Sequence, residues 1–280
     1  MIVSELCVYP VKSCQGIYLE RAEVTSLGFL LDREMMLVSG SGKFITQRQF
    51  PQLAKVKVEI VEQNIVLSAG NEIPPLTLPL VFTGTPIAVE IWGDRTDAID
   101  LGDVAANWFH QLLNLDENKI CRLVKRSPQH QRIVKQKYPS EEDIPISFVD
   151  SYPIALTATA SLVELNQRIA EIHLSQKQAI GMNRFRPNIV IETTEPFVED
   201  RWSIVQIGEI RFKVAKPCSR CIITTIDRQG QKNKLKEPLN TLGTFRQLSE
   251  QGVMFGVHLV PQNEGTIRLG DRLEVLETRD

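Results

Sequence analysis

Two of the five cysteines are separated by only two residues, in the stretch Lys216-Pro217-Cys218-Ser219-Arg220-Cys221-Ile222-Ile223-Thr224-Thr225-Ile226-Asp227. A C-x-x-C pair serves as half a zinc site, as a thioredoxin-like redox pair, or as two buried thiols with no further role. Zinc takes four ligands, usually from a second pair. Cys7 and Cys14 are too widely spaced to supply one, Cys121 stands alone, and His110, His130, His173 and His258 show no ligand spacing. A redox pair opens a helix, whose N-terminus lowers the thiol pKa. Cys221 instead opens the β-branched run 222–226, which reads as a strand. The pair in isolation therefore reads best as buried thiols, since cysteine is among the most buried residue types. Its neighbours add another chemistry. Lys216 and Arg220 are placed to stabilise a thiolate. A single thiolate suits a soft or high-valent metal whose remaining ligands arrive with an organic cofactor.

Three further groups carry basic residues, two of them with the chemistry to hold an anion. Tyr9-Pro10-Val11-Lys12-Ser13-Cys14-Gln15-Gly16 puts an ammonium and a hydroxyl in a turn between two strands, where backbone N–H groups add to the anion site. Leu31-Asp32-Arg33-Glu34 carries an arginine that by itself reads as one half of a surface ion pair. Met182-Asn183-Arg184-Phe185-Arg186-Pro187-Asn188 places two arginines and two amides ahead of an apolar strand. Guanidinium groups bind phosphate bidentately and amides read heterocycle edges. Taken singly, these are a solvated lysine, an ion pair and a basic rim.

The elements that must position these residues are mostly β. Short runs at 17–25, 34–38, 54–60, 64–68 and 87–91 are punctuated by Gly28, Gly40, Gly42, Gly70 and Gly93, a pattern that favours a barrel or sandwich. A helix is expected over 103–114, capped by Asp103, with Val104, Trp108 and Leu112 on one face. The polar segment 125–145 reads as a linker or mobile loop, with a domain boundary near its start. Beyond it come a strand at 152–157 and a helix bearing Leu162, Leu165, Ile169 and Ile172. Ser161-Leu162-Val163-Glu164 fits a capping box there, with Thr159 as a second cap. Strands follow at 188–192, 210–215, 222–226 and 258–260, then a short helix at 239–248 and a closing hairpin at 265–273. The expected class is mainly β with some α (α+β). A β-barrel-like unit spans 1–120 and a second barrel with flanking helices spans 121–280.

Composition narrows the function classes. The formal net charge is -2 over 280 residues, against the strongly basic balance that nucleic-acid binding wants. No apolar run approaches the ~20 residues of a membrane helix. The start of the chain lacks a charged region followed by an apolar one, so no signal peptide is read there. The odd, scattered cysteines argue against a disulfide framework and for the cytoplasm.

In order along the chain, Tyr9–Cys14, Asp32-Arg33, Thr46-Gln47-Arg48, Phe185-Arg186-Pro187-Asn188, Glu199-Asp200-Arg201-Trp202, Pro217–Cys221 with Thr224–Asp227, Lys236-Glu237-Pro238-Leu239, and Gly265-Thr266-Ile267 with Gly270-Asp271 resemble one family. This is the MOSC (molybdenum cofactor sulfurase C-terminal) proteins with an N-terminal MOSC β-barrel domain, in the subgroup of the amidoxime-reducing components. The resemblance runs nearly end to end and implies a molybdenum cofactor, Mo-molybdopterin. It implies Cys221 as the metal ligand and the catalytic residue, with Cys218 in a supporting place. Lys12, Ser13, Arg33 and Arg186 match cofactor-contacting positions, and Asn188 and the 157–161 region match more weakly. The implied reaction is reduction of N-hydroxylated compounds such as amidoximes, hydroxylamines and N-hydroxylated bases. A general acid is not evident, and Asp227 and His258 qualify by type only. No membrane anchor ahead of Ile2, no iron–sulfur cysteine cluster after Asp280 and no G-x-G-x-x-G fingerprint are read. Electrons are therefore expected from a separate iron–sulfur or flavin protein, with no nucleic acid or membrane as partner and the chain as a monomer. Two rival readings are a cofactor carrier or sulfur-handling protein without its own turnover, and a structural β-barrel.

Overall fold

The computed structural model describes every residue except 71, 72, 85, 131, 135–142, 174–178, 250, 251 and 280. Among the described residues the main sheet has nine strands. Its central path runs Ile17–Leu19, Ile2–Val8, Ile189–Glu192, Ile154–Ala158, Gly252–Pro261, Ile210–Arg220, Trp202–Ile207 and Leu273–Thr278. Pairing is antiparallel except between Ile154–Ala158 and Ile189–Glu192, which the helix Thr159–Ile172 connects as a crossover must. The last strand returns to the first. Leu273 N–H donates to Met1 O at 2.9 Å, and Val3 N–H donates to Asp271 O at 2.9 Å. The sheet is nearly closed, and Trp202, Phe212, Leu6 and Ile189 fill it.

A second sheet of five strands joins Pro86–Ile91, Asp94–Asp100, Cys121–Arg126, Met35–Ser39 and Phe44–Ile45. Two three-stranded sheets complete the β structure. Lys57–Val61, Asn64–Ser68 and Leu76–Pro79 form one, and Gly265–Arg268, Arg21–Thr25 and Gly28–Phe29 form the other. The helix Asp103–Leu113 packs on the core of this first half with Trp108, Phe109 and Leu53. The strands do not sort by one cut in the chain. Ile2–Val8 belongs to the sheet built mostly from the second half, and Cys121–Arg126 pairs with first-half strands. This interleaving brings residues near positions 12, 33, 186 and 221 to one place.

Several expected elements differ. Ile222–Thr225 is a 3-10 turn and not a strand. Thr224 Oγ1 donates to Cys221 O at 2.9 Å and Thr225 Oγ1 to Ile222 O at 2.8 Å, so the two hydroxyls bond back to the i−3 carbonyls and tighten the turn. Gly265–Arg268 pairs with Arg21–Thr25, while Leu273–Thr278 pairs with Trp202–Ile207, so the expected hairpin over 265–273 is two strands in two sheets. The helix Leu239–Phe245 ends short of 248. Asp103 lies inside its helix and accepts from Arg122 Nη1 at 2.6 Å, while Gly102 holds the cap position. The buried face of that helix is Ala105, Trp108, Phe109 and Leu113, with Val104 exposed. Ser161 caps nothing, because Ala158 precedes the first turn and Ser161 sits wholly buried inside the helix. Within 125–145, Arg132 is tied down. The Arg132 guanidinium donates from Nη1 to Ser147 O at 3.0 Å and Val149 O at 2.6 Å, and from Nε to Asp94 Oδ2 at 3.1 Å. Residues 131 and 135–142 of that segment lie outside the described residues.

Candidate functional site

A cavity of about 380 Å³ opens where the two main sheets meet, and Lys12, Ser13, Arg33, Arg186, Asn188 and Cys221 all line it. The turn that carries Lys12 and Ser13 leaves the first strand and runs back against Met35, with Lys12 N–H donating to Met35 O at 2.7 Å. The Lys12 ammonium is buried and donates to Phe148 O at 2.7 Å and to Asp150 Oδ1 at 2.5 Å. Burial pushes its pKa down, and Asp150 pulls it part of the way back. Desolvation at the cavity wall would raise the Asp150 carboxyl, which is half-exposed, but Lys12 and the indole N–H of Trp92 hold it well below the usual carboxylate range. Ser13 has a positive φ of 70°. Its hydroxyl accepts from Gln47 N–H at 3.3 Å, and its carbonyl accepts from Gln47 Nε2 at 2.6 Å.

Arg33 and Arg186 both stand over the Tyr9 ring, each guanidinium carbon 4.2 Å from its centroid. Arg33 pairs with the buried Asp32 carboxylate at 2.5 Å, while Arg186 donates to Cys14 O at 2.6 Å. Burial alone would lower the Arg33 pKa, and the Asp32 charge raises it; Arg186 has no carboxylate partner among the described residues and is pushed down by burial and by Arg33. Asn188 holds this arrangement together. Its Oδ1 accepts from Arg33 Nη1 and from Ala155 N–H, each at 3.2 Å, and its Nδ2 donates to Cys7 O at 3.1 Å. Both ends of the amide are thus engaged by the protein, so Asn188 orients Arg33 at the cavity wall and does not hold out a free edge.

Cys221 is half-buried, and the other four cysteines are buried. Burial pushes the Cys218 thiol up. Among the described residues, the cation that hydrogen-bonds Cys221 is neither Lys216 nor Arg220. Arg48 Nη2 donates to Cys221 Sγ at 3.4 Å across 173 residues of chain. Arg220 instead spends its N–H groups on Phe255 O at 2.7 and 2.8 Å and Phe185 O at 2.7 Å. Lys216 lies 5.3 Å from the Tyr152 ring centroid. Sequence reasoning gave Arg48, Asp150 and Trp92 no role. Arg48 lies in Thr46-Gln47-Arg48, one of the motifs that carry the family resemblance, and that is the one signal for it.

Trp92 has the least expected placement. It is the first of the two loop residues joining Pro86–Ile91 to Asp94–Asp100, where Ile91 pairs with Asp94. Trp92 and Gly93 both have positive φ, at 54° and 82°, as a type I′ turn requires. Asn-Gly is the usual occupant, and a bulky residue in this conformation costs about 1–2 kcal/mol. The ring is held by Nε1 donating to Asp150 Oδ1 at 2.8 Å, by Arg48 4.8 Å from its centroid and by Phe44 at 5.0 Å between centroids.

His258 lines the cavity with a buried Nδ1 that has no hydrogen-bond partner among the described residues. Burial, then Arg220 and Lys216, push its pKa down to about 3, so the imidazole is neutral near pH 7. Asp227 is elsewhere. Its Oδ1 accepts from Gln229 and Gln231 N–H, both at 2.8 Å, and it borders a separate cavity of about 40 Å³. Thr157 and Ser161 are also absent from the larger cavity's lining. Thr157 Oγ1 donates to Met182 Sδ at 3.2 Å and Ser161 Oγ to Glu199 Oε1 at 3.0 Å.

The donor set fits an anionic organic cofactor that carries its own metal. Among the described residues, no three His, Cys, Asp or Glu side chains converge as an all-protein metal site. Among the same residues, six cations line the cavity (Lys12, Arg33, Arg48, Arg184, Arg186 and Arg220) against the single carboxylate of Asp150. Arg184 Nη2 is buried there without a described acceptor. One half-exposed thiol, excess positive charge and unused donors match a thiolate-ligated metal on a phosphorylated ligand.

Comparison with known proteins identifies the family. The MOSC N-terminal beta barrel domain matches residues 1–116, and the MOSC domain matches residues 143–274. Mitochondrial amidoxime reducing component 2 of Bos taurus is 31% identical over 283 residues, which cover 96% of this chain and 81% of that protein. Mitochondrial amidoxime-reducing component 1 of Homo sapiens is 32% identical over 294 residues, covering 98% of this chain and 82% of that protein. Molybdenum cofactor sulfurase of Bos taurus is 29% identical over 276 residues, covering 92% of this chain but 30% of that longer protein. The chain belongs to the family of MOSC-domain proteins with an N-terminal MOSC β-barrel domain, to which the mitochondrial amidoxime-reducing components also belong.

Proposed function

We propose that this protein is a molybdenum-cofactor-dependent reductase of N-hydroxylated compounds, such as amidoximes and hydroxylamines. The observation that carries the reading is the placement of Cys221. It is the one half-exposed cysteine, it lies in the cation-lined cavity, and Arg48 contacts its sulfur at 3.4 Å. Cys221 would hold the metal, with Arg48 keeping a positive charge on the thiolate. Lys12, Ser13, Arg33 and Arg186 would hold the phosphate and pterin, and Asn188 would fix Arg33. When bound, the cofactor supplies two-electron chemistry at an N–OH group. The net change is uptake of two electrons and two protons by N–OH, leaving N–H and water. The electrons come from a separate iron–sulfur or flavin protein. The cytoplasm and a monomeric state are proposed with this reading, the former on the odd count of five cysteines, all free thiols. The amidoxime-reducing components it matches are themselves named as mitochondrial. No helix among the described residues is long and apolar enough to cross a membrane.

Neutral His258 cannot deliver a proton as imidazolium near pH 7. The test is turnover. Purified, metal-loaded protein with a chemical reductant and benzamidoxime should form benzamidine; failure to do so, under conditions where a known reductase succeeds, would rule the enzyme out. The second reading is a cofactor carrier or sulfur-handling protein, which the match to molybdenum cofactor sulfurase favours. It predicts bound molybdopterin without turnover.

A further inference from the structure

We infer that Trp92 is a specificity-determining residue, a wall at the cavity mouth that packs against the organic group of the N-hydroxylated substrate. This rests on the reductase reading above. Three observations carry it. Trp92 lines the cavity while 45% of its surface stays exposed, so it sits where the interior meets solvent. Its backbone adopts a conformation that a tryptophan resists and that Asn or Gly would take readily. An indole kept in such a position argues for a use of the ring, because the turn itself is better served by another residue. The ring is also held in one orientation. Its N–H donates to Asp150 at 2.8 Å, and the guanidinium that stacks at 4.8 Å is that of Arg48, whose Nη2 reaches Cys221 Sγ at 3.4 Å. Trp92 is thus one residue removed from the thiol and has a fixed, apolar surface at the entrance.

The surroundings define the substrate class. Tyr152 and Pro153 add apolar surface to the same cavity, and the carboxylate present, Asp150, is paired with Lys12. A neutral, planar, conjugated group such as an aryl amidoxime would gain contact with an indole wall. Free hydroxylamine has no organic group to place there. The wall therefore sets a preference for N-hydroxylated compounds with a planar apolar body, and the selectivity is for that body and not for the N–OH group.

The test compares wild type with Trp92→Asn and Trp92→Phe, each loaded with cofactor and driven by a chemical reductant. Asn suits the turn, so Trp92→Asn should fold with an unchanged or higher melting temperature. It should raise the KM for benzamidoxime about tenfold relative to the KM for hydroxylamine, and calorimetric titration should show benzamidine binding weakened in proportion. Trp92→Phe retains an apolar ring but loses the N–H, and should keep most of the preference. Equal changes on both substrates would overturn the inference. So would loss of molybdenum in both variants, which would mean that the indole acts through Asp150. If wild type reduces neither compound, the reductase reading itself falls and takes this inference with it. If wild type is active and Trp92→Asn keeps its preference, only the wall is refuted.

Discussion

Replacing Glu199 with glutamine should raise the stability of this protein at pH 8 and leave it almost unchanged at pH 4.5. Glu199 is fully buried in the turn that precedes Trp202. Ser161 Oγ donates to its two oxygens at 3.0 and 3.2 Å while accepting from Phe197 N–H at 2.8 Å. The neighbouring Asp200 is already paired with Arg246 at 2.5 Å. Burial, reinforced by the Asp200 charge, pushes the Glu199 carboxyl up from 4.5 to about 7. The folded state therefore holds this proton more tightly than the unfolded chain does. The stabilisation from it is complete below pH 4.5 and is lost as pH rises to about 7. A shift of that size amounts to about 3 kcal/mol, at 1.36 kcal/mol per pH unit. The glutamine side chain keeps the shape and the acceptor for Ser161 but cannot ionise. The gap between the Glu199→Gln variant and wild type should widen by about 3 kcal/mol from pH 4.5 to pH 8, or roughly 5–10 °C in melting temperature. The difference is the quantity to read, because His258, held down to about 3, tilts both proteins the other way below pH 6.5. Thermal melts of both proteins across pH 4.5 to 8 are the assay. A gap that stays flat across that range would mean that Glu199 titrates like an exposed carboxyl, and the burial argument would be refuted.

The cavity walls make two further predictions. Arg186→Ala removes a guanidinium with no carboxylate within salt-bridge distance among the described residues, and retention of the cofactor phosphate should weaken by about 1.5–3 kcal/mol, read as molybdopterin per chain after gel filtration. Lys12→Ala should weaken retention by a similar amount and also free Asp150, so Lys12→Ala with Asp150→Asn should recover part of the loss; no recovery would place the phosphate away from this pair.

How much of this was legible in the sequence differs from residue to residue. Lys12, Ser13, Arg33, Arg186, Asn188 and Cys221 were all singled out from short motifs, and all six line one cavity. It was the ordered set of motifs, through the family resemblance, that pointed to them; the local chemistry of each alone reads as a solvated lysine, an ion pair, a basic rim or a buried thiol. Contacts between distant segments were not legible. Arg48 meets Cys221 across 173 residues, Lys12 meets Asp150 across 138, and Trp92 meets Asp150 across 58. Nothing in the spacing of those residues encodes the meeting, which depends on how the two main sheets pack. Ser161 failed for the same reason. Its local pattern was a helix cap, but the partner that claims its hydroxyl is Glu199, 38 residues on. The run 222–226 failed for a different one. β-Branched composition favours a strand, yet the hydroxyls of Thr224 and Thr225 bond back to the chain and close a 3-10 turn. That turn presents Cys221 at the cavity instead of aligning it within a sheet.

The central claim is that one thiol of the pair, and not both, carries the metal. Molybdenum content should be measured on wild type, Cys221→Ala and Cys218→Ala, each expressed with an intact cofactor pathway. About one molybdenum per chain is expected in wild type, with loss in Cys221→Ala and near-normal content in Cys218→Ala. Equal loss in both variants, or full content in Cys221→Ala, would contradict the assignment.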